Sequence, residues 1–205
     1  PINGQVLAQV HEADAALVDR AVQAARQALN GPWGKTSPEE RARLMHRVAD
    51  VIERRFEEFL AAEVADTGRP VEQARKLDVY RGVVNLRTFA DLGKLPHGEY
   101  YETRLADGRD LMNYTVRNPQ GVIASISPWT QPLLSMTWKA APALICGNTL
   151  VVKPSEETPS SATLLAEAFH EAGVPPGVFN LVHGFGPGSA GEALTRHPDI
   201  AAVTF

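Results

Sequence analysis

Three short segments of the sequence combine residue types that could bind a nucleotide: residues 127–132, 153–159 and 183–191. The first contains Trp129, which offers apolar surface and an N–H donor. The second contains Lys153, a charged donor, and three residues later an acidic side chain that could accept hydrogen bonds from ribose hydroxyls. The third is rich in glycine, so its backbone N–H groups could approach a phosphate or a ring closely. Together the three segments could enclose an adenine nucleotide.

Each segment taken alone also has an ordinary structural interpretation. Trp129 could belong to the core, and Lys153 and Glu156 could form a solvated surface pair. The glycine-rich stretch fits the G-x-G-x-x-G pattern from Gly186 to Gly191, but the sequence ends before the acidic residue that should follow about twenty positions later. A plain tight turn explains the same glycines equally well.

The three segments follow predicted strands in an alternating part of the chain. From residue 120 onward, short apolar runs alternate with amphipathic stretches. The predicted strands and helices span, in chain order, residues 122–127, 133–146, 149–153, 160–172, 178–182, 189–196 and 200–205. This order predicts an α/β fold with a Rossmann-like, mostly parallel sheet and flanking helices. Ligands of such sheets bind at the carboxyl ends of the strands, where all three segments fall.

The first hundred residues are predicted to be mainly helical. Residues 14–30 carry an apolar stripe with helical spacing. Residues 37–40, Ser-Pro-Glu-Glu, form a strong start signal for a second helix, with a capping residue, a proline at the first helical position and a glutamate three residues after the cap. A third helix over about residues 56–67 ends at Gly68, and a fourth runs from 71 to about 92.

A two-stranded hairpin is predicted where the helical pattern stops near Pro96. Residues 99–105 and 110–117 are extended segments that flank Asp107-Gly108, a dipeptide typical of hairpin turns. A long surface loop is the alternative interpretation.

The composition is that of a globular protein, with 44% hydrophobic residues, 21% charged residues and a net charge of −4 over 205 residues. This charge disfavours nucleic acids and membrane surfaces as partners. The single cysteine excludes an internal disulfide and suits a reducing, cytoplasmic location. No signal peptide, membrane-length apolar run or metal-ligand spacing is visible, so no metal is predicted. We expect residues to be missing at both ends.

An ordered set of motifs resembles the aldehyde dehydrogenase superfamily. The motifs are Asp66-Thr-Gly-Arg-Pro70, Ile126-Ser-Pro-Trp129, Pro142-Ala-Leu-Ile-Cys-Gly-Asn-Thr149, Val151-Val-Lys-Pro-Ser-Glu-Glu-Thr-Pro159, Gly173-Val-Pro-Pro-Gly-Val-Phe-Asn180 and Gly184-Phe-Gly186. The resemblance spans essentially the whole chain. His-Gly-Phe-Gly-Pro-x-Ser-Ala-Gly-Glu at 183–192 further resembles the 2-hydroxymuconic and 2-aminomuconic semialdehyde dehydrogenases. The chain would then be an incomplete NAD-binding domain with an oligomerisation arm at about 98–118 and without its catalytic domain.

The resemblance implies NAD as the cofactor and assigns residues to it. The implied cofactor-binding residues are Ile126, Ser127, Pro128, Trp129, Lys153, Ser155, Glu156, Gly186, Ser189 and Gly191. The stretch from Ile126 lines the path toward the nicotinamide, Lys153 and Glu156 hold the adenosine ribose, and the glycine turn approaches the adenine side. A glutamate facing the ribose repels a 2′-phosphate, which favours NAD over NADP.

Position 130 departs from the family pattern. The family has Asn there, whose amide donates a hydrogen bond to the oxyanion of the intermediate, whereas this sequence has Thr130. Loss of one such donor typically costs about 10²–10³ in rate. Either Thr130 donates from a shifted position, Gln131 supplies an amide, or the oxyanion function is weakened. The nucleophilic Cys and the general-base Glu of the family lie downstream, and Cys146 is predicted to be a buried structural residue.

The resemblance also implies a small-molecule aldehyde as substrate, in the semialdehyde group one that carries a carboxylate. Arg81, or less suitably Arg87, could bind that carboxylate from the 71–92 helix, and a solvated or ion-paired arginine is the alternative. The hairpin arm implies a homodimer or homotetramer. A rival hypothesis is a nucleotide-binding or assembly module without catalysis, and the 205 residues alone are expected to be inactive.

Overall fold

Eight α-helices and six strands are present in the computed structural model, which describes residues 1–95 and 98–205. The helices are α1 (Ala15–Asn30), α2 (Pro38–Arg54), α3 (Phe56–Thr67), α4 (Val71–Gln73), α5 (Tyr80–Gly93), α6 (Pro132–Ile145), α7 (Ser160–Glu171) and α8 (Ala190–Thr195). The strands are β1 (Tyr100–Arg104), β2 (Asp110–Tyr114), β3 (Val122–Ile126), β4 (Thr149–Lys153), β5 (Phe179–Leu181) and β6 (Ile200–Thr204).

The four strands after residue 120 form one parallel sheet with the order β5-β4-β3-β6. Strands β3 and β4 pair in register, with Ile126 opposite Lys153 at their carboxyl ends. Parallel strands need crossover helices, and α6, α7 and α8 supply them between successive strands. The predicted Rossmann-like α/β arrangement is therefore confirmed, with each element within two residues of its predicted bounds.

Both faces of this sheet are covered, because β3 and β4 are apolar on both sides, as parallel strands usually are. Ile123, Leu150 and Val152 face the larger core, which α2, α3, α5, α6 and α7 complete. Val122 and Val151 face a smaller core formed with α1 and α8. The strand ends are thus held from two sides, which fixes the loops that leave them.

The helical first hundred residues follow their predicted signals closely. Ser37 and Glu40 form the reciprocal hydrogen bonds of a capping box at the start of α2, and Gly68 ends α3 in the left-handed conformation with φ 70°. The prediction of one continuous helix from residue 71 to about residue 92 is wrong in one respect. A π-helical turn over Ala74–Val79 interrupts the α-helix. A π turn inserts an extra residue and shifts the side chains that follow it.

The predicted hairpin is confirmed in strands β1 and β2, and the surface-loop alternative is excluded. The two strands pair antiparallel from Tyr100 opposite Tyr114 to Arg104 opposite Asp110, and their side chains are almost all exposed. The change of pattern at Pro96 lies outside the described residues. Among the described residues, no helix is both long and apolar enough to cross a membrane.

The prediction of a buried Cys146 is wrong, because its side chain is exposed. The residue caps the end of α6, one position beyond Leu144 and Ile145, which carry the buried stripe of the last turn. Gly147 follows with φ 87° and reverses the chain. The apolar run in the sequence therefore extends one residue past the stretch that packs.

Candidate functional site

The three predicted site segments meet at the carboxyl edge of the parallel sheet. The Ser127 N–H donates to the Lys153 carbonyl at 3.1 Å, which joins the ends of β3 and β4. The Lys153 ammonium donates to the Gly184 carbonyl at 2.7 Å and to the Pro154 carbonyl at 2.8 Å. One lysine therefore links the turns that follow β4 and β5.

Lys153 is not a solvated surface lysine, since only 3% of it is exposed. Its ammonium lies 3.4 Å from one carboxylate oxygen of Glu156, whose side chain is 40% exposed. The other carboxylate oxygen forms no hydrogen bond within the described ranges, so it can accept from a ligand. Ser155 opens this turn, and its carbonyl accepts from the Thr158 N–H at 3.2 Å.

The turn after β3 combines a buried polar group with an exposed aromatic ring. The Ser127 hydroxyl is buried and has no hydrogen-bond partner in the described part of the chain. Ile126 is half-buried and Pro128 is exposed. Trp129 is 57% exposed, which rules out the core interpretation for this chain. The open indole suits contact with a flat ring such as that of a nucleoside, whereas the Ser127 hydroxyl is enclosed by the protein.

Thr130 is held by its backbone while its side chain stays exposed. The Arg69 guanidinium donates to the Thr130 carbonyl. Burial raises the pKa of the Asp78 carboxyl, and the charge of Arg69 and a hydrogen bond from the Gln131 amide oppose this rise in part. Of the two donors considered for an oxyanion, Gln131 is therefore engaged inside the protein and the Thr130 hydroxyl faces the open side.

The glycine-rich turn after β5 is bonded mainly to itself. The Phe185 N–H donates to the Ser189 hydroxyl at 3.0 Å, and the Gly188 N–H donates to Glu192 at 2.7 Å. The Gly191 N–H donates to the Phe185 carbonyl at 2.9 Å. These N–H groups have partners within the turn, which favours the tight-turn interpretation over a phosphate cradle.

Two glycines of this turn differ in the space around them. A Cβ on Gly191 would lie 2.9 Å from the Gly186 Cα and 3.1 Å from the Phe185 carbonyl oxygen, so α8 needs glycine there to approach the turn. A Cβ on Gly186 would meet nothing within 4 Å. Gly186 thus borders open space, which leaves room for a flat ring.

Comparison with known proteins decides the family. The aldehyde dehydrogenase family model matches residues 1–205, the whole chain. The chain belongs to the aldehyde dehydrogenase family. It is 60% identical over 205 residues to the 2-hydroxymuconic semialdehyde dehydrogenase of Pseudomonas sp. (strain CF600) and 54% identical to the 2-aminomuconic 6-semialdehyde dehydrogenase of a Pseudomonas species. Each alignment covers all of this chain and 42% of the relative's length.

The fold of the family is likewise shared with solved structures. An NAD+ complex of an aldehyde dehydrogenase from Bacillus cereus superposes with a TM-score of 0.91 and 42% sequence identity. The match covers 97% of this chain and 40% of that one. The chain therefore corresponds to a part of an aldehyde dehydrogenase, and that part carries the sheet edge described above.

The two arginines considered for substrate binding have different surroundings. Arg87 forms ion pairs at 2.8 Å with Asp50 and 2.7 Å with Glu53 on the surface of α2. Arg81 is exposed and forms no ion pair with the described residues. Its neighbour Gly82 packs closely against the Leu133 side chain. A Cβ added to Gly82 would lie only 2.9 Å from that side chain. The Arg81 backbone is thus one residue from the contact with the first turn of α6.

A partly buried polar cluster beneath the site was not predicted from the sequence. It consists of Glu63, Asp66, Arg69 and Asp78, and these residues contact the loops that follow β3 and β4. One signal was available: Glu63 is an acidic residue at a core-facing position of an otherwise apolar helix segment, and it is fully buried. Within the described residues, no group of three His, Cys, Asp or Glu side chains is arranged to hold a metal ion.

Proposed function

We propose that the whole protein oxidises an aldehyde to a carboxylic acid with NAD as the hydride acceptor. The observation that carries this proposal is the joined edge of three strands, where Lys153 links the turns and Glu156 keeps one carboxylate oxygen free. Family membership and the NAD+-bound relative support the same cofactor. When bound, NAD supplies the two-electron oxidant that the conversion requires.

The residues of this chain would bind and orient that cofactor. Glu156 would accept from the ribose hydroxyls and disfavour a 2′-phosphate by charge repulsion, so NAD is preferred over NADP. Ser127 and Trp129 would border the path toward the nicotinamide, and Gly186 would leave room on the adenine side. The nucleophilic Cys and the base that activates water would come from outside these 205 residues, so we expect the chain alone to be inactive.

The two Pseudomonas relatives support a proposal for the substrate class. These relatives are 2-hydroxymuconic and 2-aminomuconic semialdehyde dehydrogenases, and we infer a carboxylated semialdehyde such as 2-hydroxymuconic semialdehyde, a compound of aromatic catabolism. Arg81 would bind the carboxylate, since its guanidinium has no ion-pair partner among the described residues. We further infer a cytoplasmic homodimer or homotetramer in which the exposed β1–β2 hairpin contacts a second copy.

The substrate class is tested by initial-rate kinetics on the full-length protein. Arg81→Ala is expected to raise the KM for a carboxylated semialdehyde at least about tenfold, the effect of one lost charged contact, and to leave an uncharged aldehyde of similar size nearly unaffected. Arg87→Ala is the matched control, because Arg87 is paired on the surface and should change neither KM. An equal change for both aldehydes would remove Arg81 from the carboxylate site.

A second, non-catalytic function is considered because of Thr130. If Thr130 leaves the oxyanion position without a suitable donor, the protein is a nucleotide-binding or assembly module. Thr130→Asn in the full-length protein separates the two cases. A large gain in turnover would show that Thr130 weakens catalysis, and unchanged turnover would remove position 130 from the oxyanion role. Absence of NADH formation by the wild type and the variant alike would favour the module.

A further inference from the structure

Two carboxylates of helix α3 accept hydrogen bonds at the starts of two other helices. One carboxylate oxygen of Glu63 accepts from the Leu133 N–H at 2.8 Å, in the first turn of α6. The carboxylate of Asp66 accepts from the Ser160 N–H at 2.7 Å and from the Ser160 hydroxyl at 2.8 Å, where α7 begins. The first N–H groups of a helix have no partner inside the helix, so these carboxylates cap α6 and α7 from outside.

Each capped helix follows a loop that carries site residues. The first loop, residues 127–131, precedes α6, and the second loop, residues 154–159, precedes α7. Thr130 lies two residues before α6, and Glu156 lies four residues before α7. Glu63 and Asp66 are three positions apart, so they lie on the same face of α3. One rigid helix therefore holds both loops at a fixed separation.

A third contact from the same region reaches the first loop. Arg69 follows α3, and its guanidinium donates to the Thr130 carbonyl while it pairs with the buried Asp78 at 3.3 Å. The first loop is thus fixed on both sides of Gln131, at Thr130 and at Leu133. The second loop has the Asp66 contact at its end and the Lys153 contacts at its beginning.

Glu63 is fully buried and Asp66 is partly buried, so both carboxylates lose solvation in the folded chain. Burial raises the pKa of Glu63 to about 7 and also raises the pKa of Asp66, which means that folding disfavours their charged forms. Buried charged groups are often less stabilising than apolar residues of similar size. Their hydrogen bonds to the starts of α6 and α7 offset part of this cost, which ties the two acids to the loops that precede those helices.

We propose that Glu63 and Asp66 are positioning residues that serve different parts of the reaction. Glu63 positions the loop of Thr130, where the aldehyde carbon reacts, and Asp66 positions the loop of Glu156, where the cofactor ribose binds. The proposal rests on the proposed function, because it assigns the two loops to turnover and to cofactor binding. It predicts that the two variants separate in their kinetic effects.

The experiment uses the full-length protein and the variants Glu63→Met and Asp66→Ala. Glu63→Met is expected to lower kcat at least about tenfold, because a misplacement of about 1 Å can cost up to 10²-fold, with the Kd for NAD changed less than about threefold. Asp66→Ala is expected to raise the Kd for NAD about tenfold, with kcat at saturating NAD nearly kept. Glu63→Gln and Asp66→Asn each keep a side-chain carbonyl acceptor, so both variants should have kcat and Kd values for NAD close to those of the wild type.

Controls keep a structural loss apart from a positioning effect. Glu57→Ala removes an acid of α3 that pairs with Arg75 at the surface, and it should change neither kcat nor Kd. If the buried variants do not fold, Arg69→Lys and Ser160→Ala act on the same two loops from positions that reach the surface. Arg69→Lys keeps the charge beside Asp78 but loses the fork that reaches Thr130, so it should follow the Glu63 pattern.

Amide hydrogen exchange gives a readout that does not depend on activity. Glu63→Met should speed exchange at residues 130–135, and Asp66→Ala should speed exchange at residues 156–161. A wild type that forms no NADH would defeat the proposed function, while exchange and NAD binding would still decide the positioning roles. Equal effects of both variants on kcat and Kd, or faster exchange in both loops with either variant, would overturn the proposal.

Discussion

The turns after β3 and β5 lie at the same edge of the sheet but are held in different ways. The turn after β3 is fixed by groups far away in the sequence, since Arg69 bonds the Thr130 carbonyl and Glu63 bonds the Leu133 N–H. The turn after β5 is fixed mainly by bonds within residues 185–192. A turn that is anchored only from outside can be displaced by a distant substitution. The turn after β5, the self-bonded turn, keeps its internal bonds in that case, and it depends on a distant group mainly where Lys153 bonds the Gly184 carbonyl.

The largest predicted effect comes from Lys153→Met, because Lys153 connects the self-bonded turn to the rest of the edge. Removing the ammonium leaves the Gly184 and Pro154 carbonyls without their donor in a buried place, at about 1–3 kcal/mol each. We expect a loss of about 4 kcal/mol in unfolding free energy and at least a tenfold rise in the Kd for NAD. Denaturant unfolding and calorimetric titration of the full-length protein measure the two quantities.

Lys35→Met is the control for that substitution, since Lys35 is an exposed lysine on a short helical turn. It should leave both quantities within error. A Lys153 variant as stable as the control would mean that the two turns are held independently of the lysine.

The stability of the anchored turn should depend on pH through Glu63. Burial raises the pKa of Glu63 in the folded protein to about 7, from its ordinary value of 4.5. Its contribution to stability is therefore fully present below about pH 4.5 and is lost as the pH rises through about 7. A shift of this size corresponds to about 3 kcal/mol.

Glu63→Gln removes this titration while it keeps an acceptor for the Leu133 N–H. The difference in unfolding free energy between the variant and the wild type should therefore change by about 3 kcal/mol in favour of the variant between pH 4.5 and pH 7.5. Denaturant midpoints measured across this range test it, and a difference that is constant with pH would show that Glu63 is not the titrating group.

The smallest predicted effect distinguishes the glycines within the self-bonded turn. Gly191→Ala forces a contact of 2.9 Å with the Gly186 Cα, and we expect a loss of about 1–3 kcal/mol in unfolding free energy. Gly186→Ala enters open space and should leave stability unchanged while it weakens NAD binding, if the cofactor ring lies there. Thermal unfolding and NAD titration of both variants decide the matter. Equal loss of stability in the two variants would contradict this view of the turn.

The sequence predicts most of the fold because its signals are local. Alternating apolar runs locate the four parallel strands, and residues such as Ser37 and Gly68 mark helix ends through their own backbone contacts. The order of strand ends then places the Lys153 and Glu156 segment beside the Trp129 segment. The internal part of the self-bonded turn is predictable for the same reason, since the bonds among residues 185–192 join residues at most six positions apart.

The anchors of the first turn could not be predicted, because their partners are distant in the sequence. Glu63 and Leu133 are separated by 70 positions, and Asp66 and Ser160 by 94. Nothing in the local pattern of either segment identifies such a pair before the tertiary contacts are known. The burial of Cys146 is predicted wrongly for another reason. An apolar run does not reveal that the packed stripe ends one residue earlier, at Ile145.

The central claim is that the three joined strand ends form one NAD site, and a structure of the full-length protein with NAD tests it most directly. The decisive distance is from the Glu156 carboxylate to the hydroxyls of the adenosine ribose. We predict a hydrogen-bond distance of about 2.5–3.0 Å, with the nicotinamide toward Trp129 and Thr130. A nucleotide bound elsewhere, such as the open cleft between Asp14 and Arg196, would contradict the account.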